Sequence, residues 1–258
     1  MSTIIGNPIM LGGGSSDISA PRIGKDFNWT GGDGTYQVLD DGDGNWRIKF
    51  LSSGTFTPLK DMVIDAFLVG GGGAGYGGPS AGGAGGGGYT TTIKNIQLVA
   101  KTDYQIIVGA GGTTVSSAQG NRGGETSAFT YSANGGYGGE NFNGGKGGSG
   151  GGSYRKTSSS PFIPGNGGSD GGNGEGMTNY PGGVGQGTTT REFGEASGTL
   201  YSGGGGGRYS SSALGAGGGG GGADAGNSAL ANTGGGGGAG GAGGSGIVII
   251  RKHKEAAA

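Results

Sequence analysis

The apolar run MVIDAFLV (62–69) leads straight into GGGGAGYGG, with no polar loop between the strand-like block and the glycine tract. The same junction recurs where Tyr89 enters from glycine, where Val108 exits into GAGG and where Ile247 enters from GGSG. A flexible linker has no reason to be framed in this way, so these glycines read as part of a folded body. Glycine supplies 77 of the 258 residues and proline 7, a content typical of collagen or of disordered low-complexity chain. Collagen needs glycine at every third residue together with abundant proline, and no such phase is sustained here. Disorder is opposed by a net charge of only −1 and by the gathering of the 30% hydrophobic residues into blocks.

Those blocks carry the alternation and β-branched content of strands: 46–50 (WRIKF), 62–69 (MVIDAFLV), 89–96 (YTTTIKNI), 104–108 (YQIIV), 126–132 (TSAFTYS) and 247–251 (IVIIR). No segment has a 3.6-residue apolar period, so the expected fold is all-β, a small β-sandwich with a polyglycine II helix bundle and essentially no α-helix. The last strand lies more than a hundred residues beyond the others; pairing it with the early sheet would close the domain and make 135–246 one long insertion. The expected divisions are an N-terminal anchoring segment (1–28), a sandwich part with the first tracts (29–134), a polyglycine II bundle with distal loops (135–246), and a closing strand with a charged tail (247–258).

The tracts have few side chains to bury, so hydrogen bonding must order them. A polyproline II helix has no internal bonds and turns every N–H and C=O outward; when neighbours are nearly all glycine, they approach closely enough to exchange those bonds laterally. Ordering about seventy glycines costs on the order of 100 kcal/mol of conformational freedom. Strands that hold the tract ends side by side would act as a template for cooperative formation. Sheet, bundle and connecting loops would then follow one another from pole to pole.

The connecting loops are rich in Tyr, Arg, Ser, Gly and Asn, the residues of adaptable binding loops. Tyr154, Arg155, Phe162, Tyr180, Arg191, Phe193, Tyr201, Arg208 and Tyr209 are the candidate receptor contacts; the competing reading is that they cap or staple the bundle. In the N-terminal segment, Ile4, Ile5, Ile9, Met10 and Leu11 form a candidate anchor, with a frayed terminus as the alternative.

Three ordered motifs, FLVGGGGAG (67–75), AGGGGYTTTIKNIQLVAKTDYQIIVGAGG (84–112) and GGSGIVIIR (243–251), resemble the glycine-rich domain family of bacterial and phage proteins over about residues 50–251. More distantly the chain is similar to the glycine-rich adhesins at the long tail-fibre tips of T-even-type phages. The glycine-rich region of the anaplastic lymphoma kinase ectodomain has a comparable build, but its cysteines are missing here. The resemblance implies a binding or virion-structural role and carries over no contact residue.

Catalytic readings find little support. The single histidine, His253, sits in the charged stretch RKHKE, and no cysteine is present, so neither a nucleophile–base pair nor thiolate chemistry is indicated. None of the 17 acidic residues stands out as a glycosidase pair. DDGDGNW (40–46) alternates Asp41, Asp43 and Asn45 like a calcium loop, but Trp46 stands where glycine is needed and Ser52 where the bidentate glutamate belongs. An Asp-Gly hairpin turn accounts for it better. GGKGG (144–148) lacks the first glycine and the Ser/Thr of a P-loop, and 16 basic against 17 acidic residues do not suit nucleic acid. No basic n-region precedes the short N-terminal apolar run and no stretch approaches a membrane span.

With no catalytic set indicated, the resemblance implies a non-enzymatic phage virion protein without cofactor or metal, assembled in the host cytoplasm without a secretion signal and joined to other virion proteins through its N-terminal segment. It would act as a tail-fibre or head-fibre tip adhesin binding a bacterial surface protein or glycan, without inserting into the membrane. The alternative is a capsid-decoration or filament subunit that packs against itself through glycine surfaces.

Overall fold

A computed structural model describes residues 20–78, 82–154, 163–167, 171–175, 181–183, 189–210 and 214–253. Ten strands follow in chain order: β1 (Phe27–Trp29), β2 (Tyr36–Gly42), β3 (Asn45–Phe50), β4 (Gly54–Pro58), β5 (Met62–Val69), β6 (Thr90–Leu98), β7 (Tyr104–Ile107), β8 (Thr126–Ala128), β9 (Tyr131–Ala133) and β10 (Ile247–Lys252). They form two antiparallel sheets, β1-β4-β7-β8-β9 and β2-β3-β10-β5-β6. Among the described residues only a 3₁₀ turn at Glu192–Gly194 adds helical structure, so the fold is all-β as expected.

Strands this rich in apolar residues need cover on both faces, and β5 and β10 occupy the interior of their sheet. Ile64, Ala66 and Leu68 of β5, with Val248 and Ile250 of β10, face the core between the sheets, which is filled by Phe27, Trp29, Phe50 and Phe56. The Trp29 and Phe50 rings lie 4.7 Å apart, and the Trp29 indole N–H donates to Thr35 Oγ1 at 2.9 Å. The alternate residues Phe67, Val69, Ile247 and Ile249 point outward and are covered by Phe193 and Tyr201. The last strand thus pairs with β3 and β5 of the early sheet.

Two hairpins show how local chemistry sets the turns. Asp43 and Gly44, with φ of 51° and 74°, link β2 to β3 as a two-residue turn of the type Asp-Gly favours. Asp40 accepts from Gly42 N–H and Asp41 pairs with Arg47, so the acidic string serves the hairpin. In 126–132, read above as one strand, Phe129 and Thr130 adopt φ of 53° and 69° and divide it into β8 and β9. The turn aims Phe129 into the core against Tyr104, ring centroids 5.6 Å apart.

The glycine tracts continue the strands without a slip in register. Val69 lies opposite Thr90 at the end of the β5–β6 ladder; beyond it Gly70, Gly73 and Tyr76 donate their N–H groups to the carbonyls of Tyr89, Gly86 and Gly83. Each advance of three residues on one chain is matched by a retreat of three on the other. The β5–β10 ladder continues from Gly72 and Gly75 to Gly244 and Gly241, the β7–β8 ladder from Gly124 and Asn121 to Ala110 and Thr113, and the β8–β9 ladder from Gly123 and Gly120 to Gly136 and Gly139.

Between those bonds the tract from Gly70 to Gly77 turns to other neighbours. Gly71, Ala74 and Gly77 donate to Gly124, Asn121 and Ala118, whereas its carbonyls at Gly71 and Ala74 accept from Gly136 and Gly139, and those at Gly73 and Tyr76 from Gly237 and Gly240. This three-residue rotation of outward bonds is that of polyglycine II. The bundle is therefore centred on an early tract and is not confined to 135–246. At the other boundary Phe27 and Asn28, placed above with the N-terminal segment, form β1 on β4.

Candidate binding surface at the distal end of the bundle

A glycine helix rises about 3.1 Å per residue, so the tract leaving β5 carries the chain about 20 Å from the sheets. At its far end Gly82 and Arg208 exchange both backbone bonds, at 3.0 and 2.9 Å. Nearby, the Glu140 N–H donates to the Asn143 carbonyl, and the Asn143 side-chain amide returns a bond to the Glu140 carboxylate at 2.9 Å. This turn presents Phe142, whose carbonyl accepts the Tyr154 N–H at 2.9 Å. The rings then form a chain: Phe142 to Tyr154 at 5.2 Å and Tyr154 to Tyr209 at 5.2 Å. Phe142 is 37% exposed, and Tyr154 and Tyr209 are half-buried.

Glycine triplets arrange the flank beside this cluster. In Gly-Gly-Tyr137 and Gly-Gly-Glu140 the glycines Gly136 and Gly139 take the lattice bonds, while Tyr137 and Glu140 face solvent. Lys146 repeats the spacing on the next tract, where its carbonyl accepts the Tyr137 N–H at 2.8 Å. A groove of about 440 Å³ opens between Gln119, Tyr137, Glu140, Lys146, Ile163 and Asn166. The Arg122 guanidinium covers one face of the Tyr137 ring at 4.4 Å. Burial pushes the Tyr89 phenol at the groove wall above its ordinary range, with Tyr137 adding to the shift.

A family comparison matches residues 51–253 to the glycine-rich domain. The chain belongs to the glycine-rich domain family. The matched stretch holds the glycine tracts of the bundle and strands β4 to β10; β1, β2 and β3 precede it. A comparison with curated proteins found no match.

Within this glycine-rich domain the candidate contacts separate into two places. Tyr154, Arg208 and Tyr209 reach the distal end, whereas Arg155, Phe162 and Tyr180, like Ile4, Ile5, Ile9, Met10 and Leu11, lie outside the described residues. Arg191, Phe193 and Tyr201 belong instead to a hairpin that lies on the outer face of β5 and β10. Phe193 is 3% exposed and Tyr201 5%, packed on Phe67 with ring centroids 6.1 and 5.5 Å away. Buried rings have no surface left for a receptor, so the stapling alternative describes these two. Arg191 is turned back onto its own hairpin, donating to the Gly198 carbonyl at 3.0 Å.

Charge locks that hairpin down. Glu192, 3% exposed at its side chain, meets Arg47 at 2.6 Å and Lys49 at 3.8 Å. Arg251 lies 3.1 Å from Asp65 and 2.6 Å from Glu195, with its guanidinium 4.1 Å over the Phe193 ring. Burial, with the Glu192 carboxylate adding, pushes the Tyr201 phenol well above its ordinary range. Phe142 is the distal residue missed by the sequence reading. Its signal was the tetrad ENFN, which interrupts two glycine triplets and so must turn the chain.

Proposed function

We propose that this protein is a non-enzymatic phage virion component, an adhesin at a tail-fibre or head-fibre tip, that binds a bacterial surface receptor through its distal loops. The observation that carries the reading is the half-exposed chain of Phe142, Tyr154 and Tyr209 at the end of a bundle locked in register to the sheets. Aromatic rings give contact area at low conformational cost, and a rigid scaffold lowers the ordering entropy of binding. The lattice uses backbone bonds, so loop residues are free to diverge while the scaffold stays the same. The receptor is a bacterial surface protein or glycan, and the N-terminal segment joins the protein to other virion proteins. Particles carrying Phe142→Ala, Tyr154→Ala and Tyr209→Ala together are expected to assemble normally and to lose adsorption to host cells. Normal adsorption would refute this reading; a block in particle assembly would favour the capsid-decoration or filament role instead.

A further inference from the structure

The sandwich holds a second concavity, away from the distal loops and independent of their proposed role. A groove of about 780 Å³ runs between β6 and the β7–β8–β9 corner. Both walls carry backbone held in an uncommon conformation: Asn95 on β6 at φ 59°, and Phe129 and Thr130 in the opposite turn at 53° and 69°. For Thr130, which is β-branched, such a φ is costly. Phe129 is buried in the core and Asn95 N–H donates to buried Asp65 at 3.1 Å, so both walls are pinned from behind.

The polar lining is made of amides (Asn95, Gln97, Gln105), carboxylates (Asp103, Glu125) and hydroxyls, and among the described residues no lysine or arginine lines it. Part of that set is engaged inside the protein. Asp103 accepts from Thr57 at 2.6 Å, the Gln105 amide donates to Thr55 at 2.8 Å, the Gln97 amide donates to Asn95 at 2.9 Å, and Tyr104 O accepts the Val99 N–H at 2.9 Å. Among the described residues Glu125 has no hydrogen bond or ion pair, and the Tyr131 ring, 43% exposed, has no aromatic or cationic partner. The groove thus offers a carboxylate acceptor and a bare ring to a ligand.

We infer that this groove binds a neutral polyhydroxylated ligand, the hexose units of a glycan. Hydroxyl groups satisfy acceptor-rich walls, a sugar's C–H face packs on an exposed aromatic ring, and the unpaired carboxylate with no compensating cation disfavours anionic ligands. The rigid walls keep the ordering cost of binding low.

Saturation-transfer NMR on the full chain with neutral oligosaccharides of glucose, galactose and N-acetylglucosamine tests the inference. At least one is expected to bind, with affinity falling about tenfold in Tyr131→Ala and in Glu125→Gln. Melting temperatures should stay at the wild-type value. No transfer from any of the three sugar classes would overturn the inference, as would binding that survives Tyr131→Ala and Glu125→Gln combined. Saccharide binding abolished by Tyr154→Ala alone would move the site to the distal loops and likewise refute it. A calcium response at Glu125 without any saccharide response would make the groove a cation site and also overturn it.

Discussion

Gly72 and Gly32 are both glycines that resist replacement, for opposite reasons. Gly32 has φ +92° and open space around the position of a Cβ, so alanine there meets only backbone strain, about 1 kcal/mol. At Gly72 the backbone is ordinary, but a Cβ would fall under 3.0 Å from the Gly235 carbonyl. That carbonyl belongs to a neighbouring helix fixed by its own bonds and cannot yield locally. Gly72→Ala is therefore expected to cost about 3 kcal/mol or more, read as a shift in urea midpoint several times that of Gly32→Ala. Asp65 offers a second test at this scale. Burial alone would raise its carboxyl, but hydrogen bonds from His253, the Asn95 N–H and Arg251 outweigh burial and hold it below its ordinary value. A carboxyl lowered on folding contributes stability that is fully present above its unfolded value of about 4 and is lost as pH falls through the lower folded value. Asp65→Asn should thus destabilise the protein by about 3 kcal/mol at neutral pH, with the gap between the two melting curves closing below about pH 4.

At the scale of elements, the Arg191–Leu200 hairpin acts as a lid on the sheet face opposite the main core. Sequence composition suggested a recognition loop, because Tyr, Arg and Phe serve equally well in a paratope and in a small satellite core. What decides between them is the outward set Phe67, Val69, Ile247 and Ile249, which needs cover once β5 and β10 are known to lie side by side. Phe193→Ala is expected to lower stability by about 3 kcal/mol; under the proposed adhesin role, particles carrying it should still adsorb below the new melting point, and Tyr154→Ala should do the reverse. The glycine helices make a separate prediction. Their amides point to neighbours in all directions, so Gly71 to Gly75, enclosed by other tracts, should resist deuterium exchange as well as β5 does. Exchange within seconds at these amides would mean that the lateral bonds do not persist in solution.

Across the whole molecule, four β-ladders pass their register into the segments beyond them, mostly glycine. Neither part can slip without the other, and the tracts leaving the two sheets bond to each other, as Gly71 does to Gly124 and Gly246 to Gly109. Unfolding should be one cooperative event, with Trp29 and Trp46 fluorescence in the sandwich coinciding with the main-chain circular dichroism of the bundle; two separated transitions would show that the bundle melts on its own. Legible in the chain alone were the all-β class, the places where strands hand over to glycine, the Asp43-Gly44 turn and the closing role of β10. Each of these rests on a local signal: β-branched blocks, glycine runs or a turn dipeptide. Strands β1, β2 and β4 were not legible, because GTFTP or FNW has too few apolar residues to declare itself and is held by partners remote in the chain. Which glycine helix sits at the centre was equally hidden, since glycine carries no side chain to encode its neighbour. Only the tertiary structure assigns those partners, through backbone bonds that are the same for every glycine and become specific once the sheets fix the register.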